Sequence, residues 1–318
     1  MSHVMPVIEM HPFTPDMKSE WDDFIANSKN GTFLMKRDYM DYHSHRMDDH
    51  SFLFYRKNKL YCVLPATNHE NSLDSHQGLT YGGLIMGDAC TASGIMQVFS
   101  ILLAKLKEEK IEKLIYKPVP HIYHSQCAEE DLYALFRYKA ILTERKISSC
   151  IHRNSFIRLA PDRRAAIRKA SKNNLMIERS HAFGEFWEIL KKNLFEKYGA
   201  FPVHSLSEIT FLANKFPENI QLFTASQGGQ IIGGIVCYIS QKVIHTQYIS
   251  ADKRGKSMGA IDALISYLFD NIFTDRFSYF DFGTSCENHG EYLNESLIYQ
   301  KEGFGARGIC YDTYEIVL

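Results

Sequence analysis

The sequence predicts an α/β protein made of two similar units in tandem, and three observations lead to this prediction. The chain has 318 residues, 45% of them hydrophobic, which is enough for about two domains with buried cores. Two separate stretches repeat apolar residues at a helical period, and each lies among short strand-like runs. Ile261 follows Ile95 by 166 residues and Tyr279 follows Leu114 by 165, so the two halves have a nearly constant offset.

The first half is expected to form three strands, a helix, a strand, a second helix and a last strand. Lys57-Asn58 lies between the first two apolar runs and predicts a hairpin turn there. The fourth predicted strand, 113–119, is followed by a second helix and then by a last strand. The predicted bounds are 51–56, 60–66, 79–86, 95–106, 113–119, 129–139 and 146–152.

The second half repeats this order, and Gly228-Gly229 predicts the corresponding hairpin turn. A single apolar stripe from Ile261 to Ile272 predicts its central helix. The predicted bounds are 221–225, 231–239, 243–249, 261–272, 277–283, 292–302 and 308–317.

A helical insert at 161–217 is expected between the halves. Asp162 is placed to cap a basic helix over 163–173, and an apolar stripe predicts a second helix from residue 183. The third helix opens with Ser205-Leu-Ser-Glu208, a capping-box pattern, and should end before Pro217.

The composition excludes several classes of protein. The 36 basic and 37 acidic residues nearly cancel, so we expect no DNA partner. No apolar run reaches the ~18 residues of a membrane span, and the N-terminal segment lacks the pattern of a signal peptide. The seven cysteines are scattered without a CxxC pair, which is typical of reduced thiols in a cytoplasmic protein.

The compact motifs of several common enzyme classes are missing from the sequence. It contains no Gly-x-Ser-x-Gly elbow, no P-loop and no GxGxxG. His43-x-His45 and the other close histidines lack the partners of a metal quartet, so we expect no metal.

The turn over residues 250–260, Ser-Ala-Asp-Lys-Arg-Gly-Lys-Ser-Met-Gly-Ala, has the composition of an anion site. Small residues let backbone amides approach a ligand, and the first amides of a following helix are unpaired. Lys253, Arg254 and Lys256 would add charge-assisted contacts to a phosphate or pyrophosphate. An ordinary exposed loop explains the same residues equally well.

A second polar region begins at Asp281, where a predicted strand meets a loop. Ligands gather at that edge of an open α/β sheet, so Asp281, Ser285, Asn288 and Asn294 are candidate ligand contacts. The alternative is a solvated turn with an Asx cap.

Two regions of the insert have open interpretations. The basic residues of 158–172 either hold phosphate groups or face water. The segment 198–204, which contains Tyr198 and His204, either lines a pocket or packs a helix connection.

Lys301 should return to the helix face of Leu297 and Ile298. Burying a lone charge is costly, so a lysine on an apolar face needs an acidic partner or an opening to a polar site. We therefore expect its ammonium either near Asp281 or extended past the helix edge to water.

The segment 243–273, a strand, a basic turn and an amphipathic helix, resembles the acyl-CoA-binding core of the GNAT N-acetyltransferase fold. The family's loop is roughly Gln/Arg-x-x-Gly-x-Gly/Ala. Arg254-Gly-Lys-Ser-Met-Gly259 is similar at its first and last positions and has Ser257 at the central glycine. The resemblance implies an acyl-CoA donor whose phosphates contact Lys253, Arg254, Lys256 and Gly259.

Two such units joined by an insert resemble the Fem-type transferases, whose tandem GNAT-like domains use aminoacyl-tRNA. The basic helix with its following strand, 163–178, and Lys301-Glu-Gly-Phe-Gly305 carry this resemblance. Further motifs are similar to bacterial members encoded with surface-polysaccharide genes: Tyr81-Gly-Gly, Pro120-x-x-Tyr123-His124, His204-Ser-Leu-Ser-Glu208, His245-Thr-Gln-Tyr248 and Asp281-Phe-Gly-Thr-Ser285. The implied fold is two tandem GNAT-like domains, 1–155 and 156–318, with aminoacyl-tRNA as the other donor and partner.

The resemblance implies transfer of an acyl or aminoacyl group to an amine, on a sugar-nucleotide, a small molecule or a cell-envelope precursor. Such a transfer needs positioning, a route for the proton and oxyanion donors. Asp281 or His204 would act as base or position the amine, and Lys301 would stabilise the oxyanion. The expected substrate contacts are Tyr81, Tyr123, Tyr198, Gln247, Tyr248, Ser285, Asn288 and Asn294. The alternative, which the altered loop favours slightly, is a non-catalytic GNAT-like module that binds a glycan or a nucleotide.

Overall fold

The computed structural model describes residues 7–155 and 157–318 and divides into two compact units. The first unit comprises the chain up to Lys146 together with Cys310–Leu318, and the second comprises Ile147–Ile309. The predicted domain boundary lies between residues 155 and 156. The first unit also includes the C-terminal strand segment from Cys310, and the second unit already begins at Ile147, within β9. Residues 1–6 and 156 of the predicted domains lie outside the described residues.

The first unit is built on two sheets with helices between their strands. The helices and strands of this unit are β1 (Ile8–Pro12), α1 (Lys18–Asn27), α2 (Arg37–Met40), β2 (Asp48–Asp49), β3 (Phe52–Arg56), β4 (Lys59–Leu64), β5 (Thr67–His69), β6 (Ser72–Asp74), β7 (Ile85–Met86), α3 (Ala92–Glu108), β8 (Lys113–Tyr116), α4 (Glu130–Arg137) and the first part of β9 (Ile141–His152). One sheet has the order β1-β3-β4-β7, and in the other β8 pairs with β6 and with the C-terminal strand of the chain.

The core of the first unit forms around α3. Thr91 caps this helix by accepting a hydrogen bond from the Gly94 amide. Its predicted apolar stripe, from Ile95 to Leu106, is buried and packs against β3, β4 and α4.

The second unit is built on one sheet with helices on both faces. Its helices and strands are α5 (Pro161–Lys172), β10 (Met176–Ser180), α6 (Phe183–Tyr198), α7 (Leu206–Lys215), β11 (Ile220–Gln227), β12 (Gln230–Ile239), β13 (Val243–Ala251), α8 (Lys253–Met258), α9 (Ala260–Asn271), β14 (Tyr279–Thr284), β15 (Cys286–Glu287), β16 (Tyr292–Leu293), α10 (Glu295–Glu302) and the first part of β17 (Arg307–Val317). Strands β10 to β13 are antiparallel neighbours, β13 pairs with β14 in parallel, and β14 pairs with the second part of β9.

The two faces of this sheet carry different helices because strand side chains alternate between faces. Ile235, Cys237 and Ile239 of β12 join the buried cluster that contains the apolar stripe of α9. Gly234 faces α6, where a Cβ would lie 2.7 Å from a ring carbon of Phe186. Gly234 and the residues that alternate with Ile235, Cys237 and Ile239 therefore face α6.

The predicted α/β class and tandem arrangement are confirmed. Each unit continues from a four-stranded antiparallel set through a helix, a strand, a second helix and a last strand. Both hairpin turns form where expected, with positive φ at Lys57-Asn58 and Gly228-Gly229. The capping box of Ser205 and Glu208 is also present.

Several predicted elements differ in the structure. The strand at 79–86 is reduced to β7, because the left-handed Gly83 interrupts it and the Leu84 amide donates to the Tyr116 hydroxyl. The helix expected from residue 292 begins only at Glu295, since Asn294 accepts the Leu297 amide as its cap. Helix α5 starts at Pro161 after Ala160, so Asp162 lies in its first turn and is not its cap.

The insert at 161–217 is not wholly helical. Strand β10 lies between α5 and α6 and pairs with β11 in antiparallel register, which extends the sheet of the second unit. Within residues 7–155 and 157–318, we find no helix that is both long enough and apolar enough to cross a bilayer.

Candidate active site

The candidate site lies in the second unit, where the parallel strands β13 and β14 separate. Their pairing covers only Val243–His245 against Tyr279–Asp281, although both strands continue further. Beyond the last pair, a cavity of about 410 Å³ opens among α6, α8, α9, α10 and both strands. Its lining is mainly apolar, with Lys256 and Asn193 on α8 and α6 and Lys301 on α10.

Lys301 brings a buried ammonium to this cavity. The residue is 7% exposed, and its Nζ donates to the carbonyl oxygens of Gly283 and Thr284, at 2.8 Å each. Burial lowers the pKa of Lys301 to about 8, while the nearby Asp281 acts in the opposite direction. A protonated lysine here can stabilise negative charge that develops at the cavity wall.

Asp281 lies next to this lysine but has no exposed surface. Its carboxylate accepts hydrogen bonds from the Ser148 hydroxyl, from the Gly283 amide at 3.1 Å and from His245 Nδ1 at 2.8 Å. The carboxylate also raises the pKa of the Cys150 thiol, in addition to the larger effect of burial. Because the Asp281 carboxylate has no exposed surface, it can affect a substrate only through the residues that it binds.

Gly283 lies next to both Lys301 and His245. Its φ of +76° is a left-handed conformation that glycine adopts without strain. A Cβ at this position would lie 3.2 Å from His245 Cε1, so the missing side chain makes room for the imidazole. The same residue's carbonyl oxygen binds Lys301 Nζ, and both functional side chains therefore contact one residue at the end of the strand pairing.

Strand β13 has a β-bulge two residues after His245, the last residue of β13 that pairs with β14. Val236 of β12 pairs with Tyr248 and Cys237 pairs with Thr246, so Gln247 is the extra residue. The Tyr248 hydroxyl is 2.7 Å from His204 Nδ1, and burial raises the pKa of Tyr248. His204 is itself buried, with its carbonyl oxygen accepting from the Trp187 indole at 3.2 Å.

The loop predicted to hold phosphate folds into the short helix α8. Asp252 caps this helix, and its carboxylate accepts the Gly255 amide at 2.6 Å. An acidic group thus occupies the place where the sequence predicted an anion. Gly259, at φ +78°, is covered by α5, whose Ala166 carbonyl oxygen lies 2.9 Å from a Cβ built there.

The three basic residues of this loop point to different surroundings. Lys256 Nζ donates to Asn193 Oδ1 at 3.2 Å and lines the cavity. Arg254 donates to the side chains of Gln227 and Gln230 on the neighbouring hairpin. Lys253 lines a separate, smaller hollow of about 240 Å³ beside α6.

The remaining predicted contacts in this unit are dispersed. Tyr198 is 51% exposed and lines the cavity at the end of α6. Asn294 has a structural role as the cap of α10, and Asn288 is exposed with φ +48°. Ser285 is buried at the end of β14, and its hydroxyl has no hydrogen-bond partner.

Tyr81 and Tyr123 belong to the first unit. Both are buried, their rings pack 4.5 Å apart, and the Tyr123 hydroxyl lies 3.1 Å from that of Tyr311. The structure thus groups Lys256, Lys301 and Tyr198 around one cavity and buries Asp281 behind Lys301. Tyr81 and Tyr123 belong to a separate aromatic cluster.

Sequence reasoning did not select His245, Ser148 or Asn193 as site residues. His245 and Asp281 are register partners on parallel strands, and this pairing brings their side chains together. A histidine after two apolar residues of a predicted strand, just before the edge where ligands gather, was the available signal. Ser148 had no such signal, because β9 precedes β14 by more than a hundred residues.

Comparison with known proteins supports the fold found here. Residues 161–292 match the family model described as acetyltransferase (GNAT) domain. No curated protein matches the chain. Solved structures that resemble it include FemX (13% identity, 98% of this chain and 97% of that chain, TM-score 0.68) and L-PGS from Bacillus licheniformis (12%, 95% and 91%, 0.63). A tandem GNAT protein from the clavulanic acid biosynthesis pathway also resembles it (8%, 97% and 98%, 0.50).

The chain therefore has a tandem GNAT-type fold, and its second unit contains the whole segment that matches the GNAT family model. Among the described residues, no group of histidine, cysteine and acidic side chains is arranged to hold a metal ion. Some residues of the site suit an acyl-CoA donor, and one residue opposes it. The cavity suits an acyl chain or a pantetheine arm, and Lys256 suits a phosphate at its rim, whereas Asp252 opposes an anion at the start of α8.

Proposed function

We propose that the protein is an N-acyltransferase that moves an acyl or aminoacyl group from a donor in the 410 Å³ cavity to an amine. The observation that carries the proposal is Lys301, a buried ammonium at the cavity wall where β13 and β14 separate. The match of residues 161–292 to the acetyltransferase (GNAT) family model supports the same reaction class.

The chemistry follows from what the chain places at this point. When an amine attacks the donor carbonyl, negative charge develops on the carbonyl oxygen, and a preorganised cation in a dry site stabilises it. Lys301 supplies that cation, and Gly283 and Thr284 hold its Nζ by their carbonyl oxygens. The bulge at Gln247 leaves backbone groups near the same point without ladder partners, and these can orient the acyl group.

We propose acyl-CoA or aminoacyl-tRNA as the donor and an amine on a sugar-nucleotide or cell-envelope precursor as the acceptor. The motifs similar to those of Fem-type transferases motivate this choice of substrates, and the structures named FemX and L-PGS share the fold. Lys256 and the exposed basic residues of α5 are the proposed phosphate contacts of the donor, and Tyr198 lies at the proposed entrance to the cavity. The proposed location of the protein is the cytoplasm, as expected from the sequence, and the proposed context of the reaction is surface-polysaccharide synthesis.

The alternative function, a module that binds a glycan or nucleotide without transfer, has one observation in its favour. Asp252 caps α8 and places a carboxylate where a diphosphate is expected. The transfer reaction accounts for Lys301, whereas a binding module has no need of a buried ammonium held where two strands separate.

A substrate screen tests the proposal. The wild-type protein is incubated with acetyl-CoA, longer acyl-CoAs or charged tRNA and with a panel of amino-sugar nucleotides, and products are identified by mass spectrometry. We expect a new amide on one acceptor and its loss in Lys301→Met. Lys215→Met, an exposed lysine on α7 of the same unit, is the matched control and should retain activity. Ligand binding without any product would favour the binding module.

A further inference from the structure

We propose that His245 is the general base of the transfer reaction and that Asp281 is the residue that positions it. The inference rests on the proposed function, because it names the residue that removes a proton from the attacking amine. It also assigns Asp281 a different role from the one expected from the sequence.

The first step is that Asp281 has no route to a substrate. It is 0% exposed, and Ser148, Gly283 and His245 all donate to its carboxylate. A general base must reach the proton that it abstracts, directly or through one water. The buried carboxylate does not meet this condition.

The second step concerns the proton on His245. A carboxylate only accepts hydrogen bonds, so the 2.8 Å contact with Asp281 Oδ2 places the hydrogen of the neutral imidazole on Nδ1. The lone pair then lies on Nε2, the other ring nitrogen. The His245 side chain is 16% exposed, whereas the side chain of its partner Asp281 has no exposed surface.

The third step is the position of that ring. Its Cε1 and Nε2 lie 3.2 and 3.9 Å from a Cβ built on Gly283, the residue whose carbonyl oxygen binds Lys301. Lys301 lines the cavity proposed for the donor, whereas His245 does not. In the proposed arrangement Lys301 stabilises the oxyanion from the donor side, and the acceptor amine enters on the His245 side of Gly283, outside the cavity lining.

The neighbouring strands and helix α10 contribute the polar groups near His245. Tyr238 is its register partner on β12 and lies on the same sheet face, with the His204 ring 6.5 Å from the Tyr238 ring. Asp281 faces it from β14, and Cys150 of β9 pairs with Asp281. Lys301 of α10 is the nearby cation. Ser148 bonds to Asp281 and not to the imidazole, so the group is not arranged as a serine nucleophile with its base.

The acceptor enters as a free amine, and its nitrogen forms a bond to the donor carbonyl carbon while its proton passes to His245 Nε2. The tetrahedral adduct then collapses. The bond from carbon to the donor sulfur or oxygen breaks, and the departing thiolate or alkoxide takes the proton from the imidazolium. The products are an amide and the protonated leaving group, with His245 neutral again.

The first test needs no substrate. Nitrogen-detected NMR of histidine-labelled wild-type protein should show His245 as the Nδ1–H tautomer, with the resonance assigned by its loss in His245→Gln. In Asp281→Asn the carboxamide can offer an N–H to Nδ1, so we expect the population to shift towards Nε2–H. A wild-type Nε2–H tautomer would overturn the proposed positioning by Asp281.

The second test uses the donor and acceptor identified by the screen. General-base catalysis typically contributes about 10²–10⁴-fold, so His245→Ala should lower kcat by at least about 10²-fold with an unchanged Kd for the donor. Added imidazole should restore part of this loss in His245→Ala but not in Lys301→Met. His181→Gln, an exposed histidine of the same unit, is the matched control.

The outcomes separate the two proposals. Wild-type turnover that persists in His245→Ala would overturn the role of His245 and leave the transferase intact. Loss of turnover without rescue by imidazole, together with a lowered melting temperature, would show a structural role and likewise overturn it. Absence of transfer by the wild type with every donor would overturn the proposed function and the role of His245 with it, whatever tautomer NMR reports.

Discussion

Replacing Lys301 with methionine separates the roles of this residue in catalysis and in stability. The Lys301 pKa falls from 10.5 to about 8 through burial. Each pKa unit corresponds to about 1.4 kcal/mol, so the folded protein holds the ammonium about 3 kcal/mol less favourably than the unfolded chain does. Methionine has a similar length and carries no charge, and it removes this unfavourable term.

A loss of hydrogen bonds opposes that gain. The Gly283 and Thr284 carbonyl oxygens lose a charged donor, and such bonds contribute about 1.5–3 kcal/mol each. The two bonds together contribute about 3–6 kcal/mol, and the relieved burial cost is about 3 kcal/mol, so the free energy of unfolding should fall by no more than about 3 kcal/mol. Turnover should fall by about 10²–10³-fold, the range for loss of one oxyanion donor.

The pH dependence follows from the direction of the same shift. Because the Lys301 pKa is depressed on folding, the unfolded chain binds more protons between pH 8 and 10.5, and the contribution of Lys301 to stability improves as pH rises through that window. The oxyanion needs the charged form, so wild-type turnover should decline above pH about 8. Initial rates and calorimetric unfolding check both statements. Methionine variant turnover within threefold of wild type, or a loss that merely follows a lower melting temperature, would refute the reasoning.

Five further substitutions probe other parts of the structure. Lys256→Glu should weaken donor binding by about 1–3 kcal/mol in titration calorimetry, and Lys253→Glu, at a separate hollow, should weaken it less. Asp252→Asn keeps the helix cap but removes its charge, so affinity for a diphosphate-bearing donor should rise by about 0.3–1 kcal/mol at low salt. Gly283→Ala should destabilise the fold by about 1–2 kcal/mol, because φ is +76°, and should also slow turnover. Ser205→Ala should lower unfolding free energy by about 0.5–2 kcal/mol in denaturant titration without a change in turnover.

Local sequence signals predicted much of the second unit. The hairpin turn at Gly228-Gly229, the capping box at Ser205 and the apolar stripe of α9 depend on neighbouring residues, so they can be read from the sequence. The turn predicted at 250–260 is helical over Lys253–Met258, because the Asp252 carboxylate caps α8, and its role as a phosphate site stays a prediction.

The site was harder to predict because it depends on long-range pairing. Asp281 and Lys301 were selected from their local patterns, and the structure places both at the gap between β13 and β14. The contact between Asp281 and His245 depends on strand register, and the contact with Ser148 depends on a segment of β9 that joins this sheet from much earlier in the chain. No local pattern specifies either contact.

Mass-spectrometric detection of a new amide tests the central claim most directly. Wild-type protein with a donor and an amine acceptor should add the acyl mass to the acceptor and release one equivalent of free CoA or uncharged tRNA. Lys301→Met should bind the same donor and form at least about 10²-fold less product. Donor binding by wild-type protein with no acylated acceptor, across the full panel, would contradict the account and leave a binding module in its place.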